Sequence, residues 1–247
     1  MSGVFRFKHF EVRNELSAMK INTDGVLLGA IVPLPEICSK ILDIGTGTGV
    51  IALMLAYRTE KEKGSDSFSI TAIEKDSTAT EEAAGNFAAS QWACNIKARN
   101  IPLERFRDNG PFDLIVSNPP YYDSSLTNPN ERKAQARHTD GNMSYREIIA
   151  FATSALSPEG RLAMILPANN EVPMLRYARS FGLQPYEIVS ISSSSRKPPS
   201  RTIVTLIKTQ EPAPKEYIPL SRHLTIMHDG QYSQEYLEAI KDFYLFA

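Results

Sequence analysis

Residues 40–56, KILDIGTGTGVIALMLA, constrain the fold more than any other stretch of the chain. Lys40-Ile41-Leu42-Asp43-Ile44 reads as a short buried strand that runs into Gly45-Thr46-Gly47-Thr48-Gly49, and Val50 to Ala56 is too apolar for a solvated helix. A buried strand, a glycine turn and a buried helix in succession predict an α/β protein built on a parallel sheet. In such sheets ligands sit outside the carboxyl ends of the strands, where a glycine turn lets the backbone approach them closely. The spacing here is G-x-G-x-G, with no GxGxxG in register and no following GK[ST], which argues against a dinucleotide site or a P-loop. Asp43, just before the turn, would repel a pyrophosphate and suits a cationic ligand. S-adenosylmethionine, with its sulfonium and ammonium charges, fits that requirement.

Ser69 to Glu74 reads as the second strand, ending in an acid placed to accept hydrogen bonds from both ribose hydroxyls of a bound adenosine. Asn95 to Asn100 gives a third short strand, and Phe112 to Ser117 a fourth, apolar and buried. Directly after it stand Asn118-Pro119-Pro120-Tyr121. Two successive prolines lack backbone N–H groups and stiffen the turn, so the Asn118 amide and the Pro119 carbonyl keep fixed directions. An amide acceptor, a carbonyl and an aromatic face together can clamp a planar group bearing NH₂: adenine, cytosine or a glutamine amide. Asn-Pro also initiates ordinary turns, and an aromatic after Pro-Pro can simply pack on the fold.

The flanking chain supplies further elements. Residues 4–13 predict a strand or hairpin with Arg6 and Lys8 on one face. Asn22-Thr23-Asp24 offers N-cap chemistry to an apolar helix that stops near Pro33 and Pro35. Residues 58–66 read as a charge-mixed loop, 77–90 as a helix, and 122–141 as a long polar segment suited to gripping a substrate, carrying Arg132, Lys133, Arg137 and His138. A helix over 142–156, a strand over 161–167, a helix over 171–181 and strands over 187–191 and 201–207 follow. The last two strands are joined by a Ser/Pro-rich turn too short for a crossover helix and should pair antiparallel. A helix over 236–245 is expected to fold back on the body.

The composition excludes several classes. A net charge of −1 gives no global nucleic-acid signature, so RNA binding would rest on local basic patches. Cys38 and Cys94 are too few for a disulfide framework, and His9, His138, His223 and His228 are too dispersed for a metal site. With no apolar run of 18 residues and no signal-peptide core at the start, a cytoplasmic location is expected, without membrane or metal. The length of 247 residues fits one domain, with an N-terminal extension over 1–35 and a tail over 211–247 packing on it.

DIGTGTG at 43–49, the acidic strand end at Glu74 and NPPY at 118–121 together resemble class I methyltransferases that methylate amino groups. FRFKHF at 5–10, AMKINTDGVLLGA at 18–30, QARHT at 135–139 and YSQEYLEAIKDFYL at 232–245 are similar to the bacterial tRNA1(Val) adenine-N6 methyltransferase family, nearly end to end. The resemblance implies a Rossmann-like seven-stranded sheet with its last strand antiparallel, S-adenosylmethionine as methyl donor, and methylation at N6 of the adenine 3′ of the anticodon, A37. It assigns catalysis to Asn118, Pro119, Pro120 and Tyr121. It places the cofactor on Lys20, Thr23, Asp24, Asp43, Gly45, Gly47, Gly49, Glu74, Lys75, Asn100, Ile101 and Asn118. Arg6, Lys8, Arg132, Lys133, Arg137, His138, Arg196, Lys197 and Arg201 lie in segments expected to flank the mouth of the cleft and hold the RNA, and a monomer is expected. Asn100 stands where such families usually carry Asp. Methylation of a protein glutamine, a non-catalytic RNA-binding role and a dinucleotide oxidoreductase are the competing readings.

Overall fold

The computed structural model describes residues 3–64, 67–108, 110–120, 143–209 and 217–247. The chain opens with a two-stranded antiparallel ribbon, β1 (Val4–Arg6) and β2 (Glu11–Arg13), followed by helix α1 (Thr23–Ile31). The Asn22 side chain accepts from the Gly25 N–H and so caps α1. Then come β3 (Lys40–Ile44), α2 (Val50–Lys63), β4 (Ser69–Glu74), α3 (Ser77–Ala88), β5 (Ile96–Asn100) and β6 (Phe112–Ser117). Beyond the undescribed stretch lie α4 (Tyr145–Ala155), β7 (Leu156–Pro167), α5 (Glu171–Ser180), β8 (Leu183–Ser194), β9 (Arg201–Lys208), β10 (Leu220–His228), β11 (Gln231–Tyr232) and α6 (Gln234–Ile240).

The main sheet runs β11-β10-β8-β9-β7-β6-β3-β4-β5. The seven strands from β8 to β5 are parallel except for β9, which pairs antiparallel with both β7 and β8, as the short 195–200 connection requires. The expected seven-stranded sheet is thus extended to nine among the described residues. β10 adds to β8 in parallel register and β11 turns back on it, in a segment read from sequence as a tail with only a helix. That helix is α6, shorter than the expected 236–245 and starting earlier, capped by the Ser233 side chain.

Alternate strand residues enter two different cores, because a fully covered strand buries both of its faces. Ile41, Ile70, Leu114 and Val116 pack toward α1, α2, α3, the β1–β2 ribbon and α6; Leu42, Ile73, Ile115 and Met164 pack toward α4 and α5. Residues 58–63, expected in a loop, continue α2. Arg58 pairs with Glu62 one turn on, and its Nη1 donates to the Gly29 and Val32 carbonyls at the end of α1, satisfying groups that a helix C-terminus leaves open.

Candidate active site

The first functional group is the turn between β3 and α2. Gly45, Gly47 and Gly49 all have positive φ (74°, 55° and 83°). At Gly49 a Cβ would stand 2.4 Å from the Phe87 ring, so only glycine fits between the turn and α3. The Gly45 and Thr46 N–H groups donate to the Ile73 carbonyl at 2.9 and 3.1 Å, hanging the turn on the end of β4. Glu74 completes that link: its carboxylate accepts from the Gly47 N–H at 3.2 Å and the Asp76 N–H at 3.0 Å.

Beneath the turn lies Asp43, with no exposed surface. Its Oδ2 accepts from the Thr46 hydroxyl at 2.6 Å, while Oδ1 has no hydrogen-bond partner among the described residues. Burial pushes this carboxyl up to about 7, with a smaller upward contribution from the Glu74 charge and an opposing one from the Thr46 hydroxyl. A group so placed gains from any cation brought close to it.

A cavity of about 930 Å³ opens over the carboxyl ends of these strands. Its floor is the glycine turn with Ile44 and Ile73; Glu74, Lys75 and Asp76 form one rim, and Asn118 and Pro120, after β6, another. Ile101, Leu103, Phe106, Met143 and Phe151 form an apolar side wall, and residues Ser17 to Asn22 close the cavity from the N-terminal side. That N-terminal wall is fixed by α3. The buried Glu82 carboxylate accepts the backbone N–H groups of Glu15, Leu16 and Ser17 at 2.6, 2.8 and 2.8 Å. Asn86 bridges Arg13 at both its N–H and carbonyl and also donates to the Thr48 carbonyl at 2.9 Å. Asn118 is itself buried, and the Gly25 Cα side of α1 stands against its amide.

Of the residues assigned from sequence, Lys20, Gly45, Gly47, Glu74, Lys75, Ile101, Asn118 and Pro120 line the cavity. Thr23, Asp24, Asp43, Gly49, Asn100 and Pro119 are not in its lining. Asn100 turns its amide NH₂ to the Glu74 and Lys75 carbonyls and the Thr80 hydroxyl, at 3.1, 3.0 and 3.3 Å, so it braces the rim from behind. Tyr121, Arg132, Lys133, Arg137 and His138 lie outside the described residues. Apart from Lys197, the remaining basic residues are scattered and engaged. Arg6 pairs with Glu11 at 3.0 Å, Arg196 with Asp229 at 3.2 Å and Arg201 with Asp24 at 2.9 Å. Lys8 Nζ donates to the Lys241 and Ala247 carbonyls at 2.6 and 2.8 Å, holding the C-terminal segment, and Lys197 sits exposed in the β8–β9 turn.

Of the side wall and the strap the sequence reading assigned only Ile101 and Lys20. Glu147, Ala150 and Phe151 recur at helical spacing on the cavity face of α4, a signal visible in the sequence but indistinguishable there from ordinary core packing. Glu82 carries no local signal, since its partners are 65 to 67 residues away. Among the described residues no three or more His, Cys, Asp or Glu gather as a metal site, and no helix is long and apolar enough to cross a membrane.

Comparison with known proteins places this architecture. Among solved structures, one described as a predicted O-methyltransferase from Agrobacterium tumefaciens superposes with a TM-score of 0.63 at 18% identity, covering 89% of this chain and 96% of that one. A methyltransferase from Pyrococcus furiosus gives 0.53 at 21%, covering 79% and 88%. These likenesses establish the class I methyltransferase fold. The family model for the methyltransferase small domain matches residues 17–184. A curated tRNA1(Val) (adenine(37)-N6)-methyltransferase of Bacteroides fragilis is 39% identical over 246 residues, spanning 98% of this chain and 97% of its own. Its counterpart in Photobacterium profundum is 35% identical over 249 residues, spanning 99% of each. With the glycine turn, the acidic strand end and Asn118 assembled round one cavity, and with relatives alike from end to end, the chain belongs to the tRNA1(Val) (adenine(37)-N6)-methyltransferase family within the methyltransferase small domain group.

Proposed function

We propose that this chain transfers a methyl group from S-adenosylmethionine to N6 of an adenine in tRNA, A37 of tRNA1(Val), working as a single monomeric domain in the cytoplasm. The observation that carries the reading is Asn118, buried at the end of β6 and facing the same cavity as the glycine turn and Glu74, in a chain whose full-length relatives bear the name of that reaction.

The residues present suit the methyl donor. The Asp43 carboxylate beneath the turn, whose Oδ1 has no hydrogen-bond partner among the described residues, is an acceptor for positive charge, Glu74 is an acceptor for ribose hydroxyls, and the Ile101, Leu103, Phe106 and Phe151 wall is an apolar slot for a flat ring. When bound, S-adenosylmethionine supplies an electrophilic methyl on a sulfonium. The protein's contribution is to orient and activate the amine. The lone pair of the adenine N6 is delocalised into the ring. Acceptors at the Asn118 side-chain carbonyl and the Pro119 carbonyl would each take one N6 hydrogen and favour a geometry in which that lone pair points at the methyl. Tyr121 would stack on the base, a contact worth about 1–3 kcal/mol. An anticodon-loop base is extruded at less cost than a paired one.

The test is nucleoside mass spectrometry of bulk tRNA incubated with the purified chain and S-adenosylmethionine, alongside Asn118→Ala. We expect N6-methyladenosine from the wild type and a single-turnover rate lower by about 10²–10³ in the variant, with cofactor affinity retained. Absence of N6-methyladenosine with the wild type, or a variant that turns over normally, would overturn the reading.

A further inference from the structure

We propose that Arg146, at the start of α4, grips a phosphodiester of the RNA substrate beside the target adenine; the inference deepens the RNA reading above and rests on it. Arg146 is exposed, and two residues close to it in the chain, Met143 before the N-cap and Glu147 in the first turn, line the cavity, which Arg146 itself does not. Its guanidinium lies 4.9 Å from the ring centroid of Tyr177 on α5 and 5.9 Å from that of Tyr145, and those two rings meet edge to face at 6.5 Å. The two tyrosines are half-buried against the α4–α5 core, so the platform under the cation is fixed.

Arg6, Arg58, Arg196, Arg201 and Arg222 each have a carboxylate within ion-pair distance. Arg146 has none among the described residues, as is also true of Arg99 and Arg161, which lie over Phe106 and Tyr186; what is particular to Arg146 is its place on α4. The nearest acid in sequence, Glu147, is committed to the capping box, its Oε2 accepting from the Ser144 N–H and hydroxyl at 2.7 and 3.1 Å. Arg146 also occupies the first turn of a helix, where the macrodipole disfavours a cation. A charge held without a partner, at an unfavourable helix end and on a rigid aromatic base, breaks the local rules in the way functional positions do. Stacked by one face, the guanidinium keeps its edge donors directed outward, a planar fork that matches phosphate oxygens two at a time.

The experiment is a tRNA-binding titration over a salt series, with Arg146→Ala and Arg146→Lys beside the wild type and calorimetry of S-adenosylmethionine on all three. The inference expects tRNA affinity about tenfold weaker in Arg146→Ala and a slope of log affinity on log salt shallower by about one, with cofactor affinity unchanged. Arg146→Lys keeps the charge but not the fork, so it should hold the slope while losing part of the affinity. Unaltered tRNA affinity and slope in Arg146→Ala would overturn the proposal, as would a lowered melting temperature with wild-type RNA binding, which would make the cation a brace between α4 and α5. A wild-type protein with no salt-dependent tRNA affinity would instead sink the RNA reading itself, so the two failures are distinct.

Discussion

Arg201 Nε stands 2.9 Å from Asp24 Oδ2, tying the first residue of β9 to the first turn of α1. The two residues read from sequence as belonging to different ligands, one to RNA and one to the cofactor, yet in the fold they answer each other. Asp24 also sits where the α1 dipole favours an acid. With side chains 36% and 22% exposed, the pair is screened by solvent, and we expect it to stabilise the fold by about 0.5–1 kcal/mol. A double-mutant cycle with Asp24→Ala and Arg201→Ala, read by urea unfolding, should return a coupling of that size. No coupling, together with a steep loss of tRNA affinity in Arg201→Ala alone, would return Arg201 to the RNA.

Asp43 gives the protein a pH-dependent stability of defined sign. Its carboxyl ionises near 4 in an unfolded chain but only near 7 when folded. Between those values the folded state therefore binds more protons than the unfolded one. Stability falls as pH rises through that window and is flat above about 7 for this group. Asp43→Asn carries no charge to desolvate, so its melting temperature should gain on the wild type from pH 5 to 8 and then stay level. If the ionised carboxylate is the partner of a cationic cofactor, wild-type affinity for S-adenosylmethionine rises over the same interval, while the variant binds weakly at every pH. Parallel melting curves for the two proteins would show that Asp43 does not titrate in this range.

Glu82 should govern the cavity through the strap at 15–22. Removing its carboxylate leaves the N–H groups of Glu15, Leu16 and Ser17 without their acceptor, at a cost of about 1–3 kcal/mol for the buried part of that set. We expect Glu82→Ala to lower cofactor affinity about tenfold, and Glu82→Gln, which keeps an acceptor oxygen, to recover part of it. Calorimetry with S-adenosylmethionine measures both. Equal affinity in all three proteins would mean that Ser17 to Asn22 wall the cavity without contributing to binding.

What could be read in advance divides along the range of the interactions involved. The β3–turn–α2 unit was legible because apolar strand, glycine turn and apolar helix are contiguous and each signal is local. The antiparallel β8–β9 pair was legible because connection length alone decides it. The extension of α2 through Lys63 was not. Arg58 to Lys63 looks like a solvated loop until Arg58 meets the end of α1, Glu60 accepts from the Trp92 indole at 2.9 Å and Lys61 pairs with Asp242 at 2.9 Å. β10 escaped for a similar reason: of its nine residues only Leu224 is buried, so no alternation marks it, and its strand character comes from pairing with β8.

By itself the sequence determined the fold class and the end of the sheet where the glycine turn, Glu74 and Asn118 border one cavity, since both follow from periodicity and from glycine and proline constraints on the backbone. Only the tertiary structure decided which charges are available. Arg6, Lys8, Arg196 and Arg201 each find their partners in the folded chain, whereas Arg146, which no motif marks, has no carboxylate partner among the described residues and is seated on two rings from separate helices. A side chain's formal charge is written in the chain, but whether that charge is compensated depends on what folding brings within about 4 Å of it.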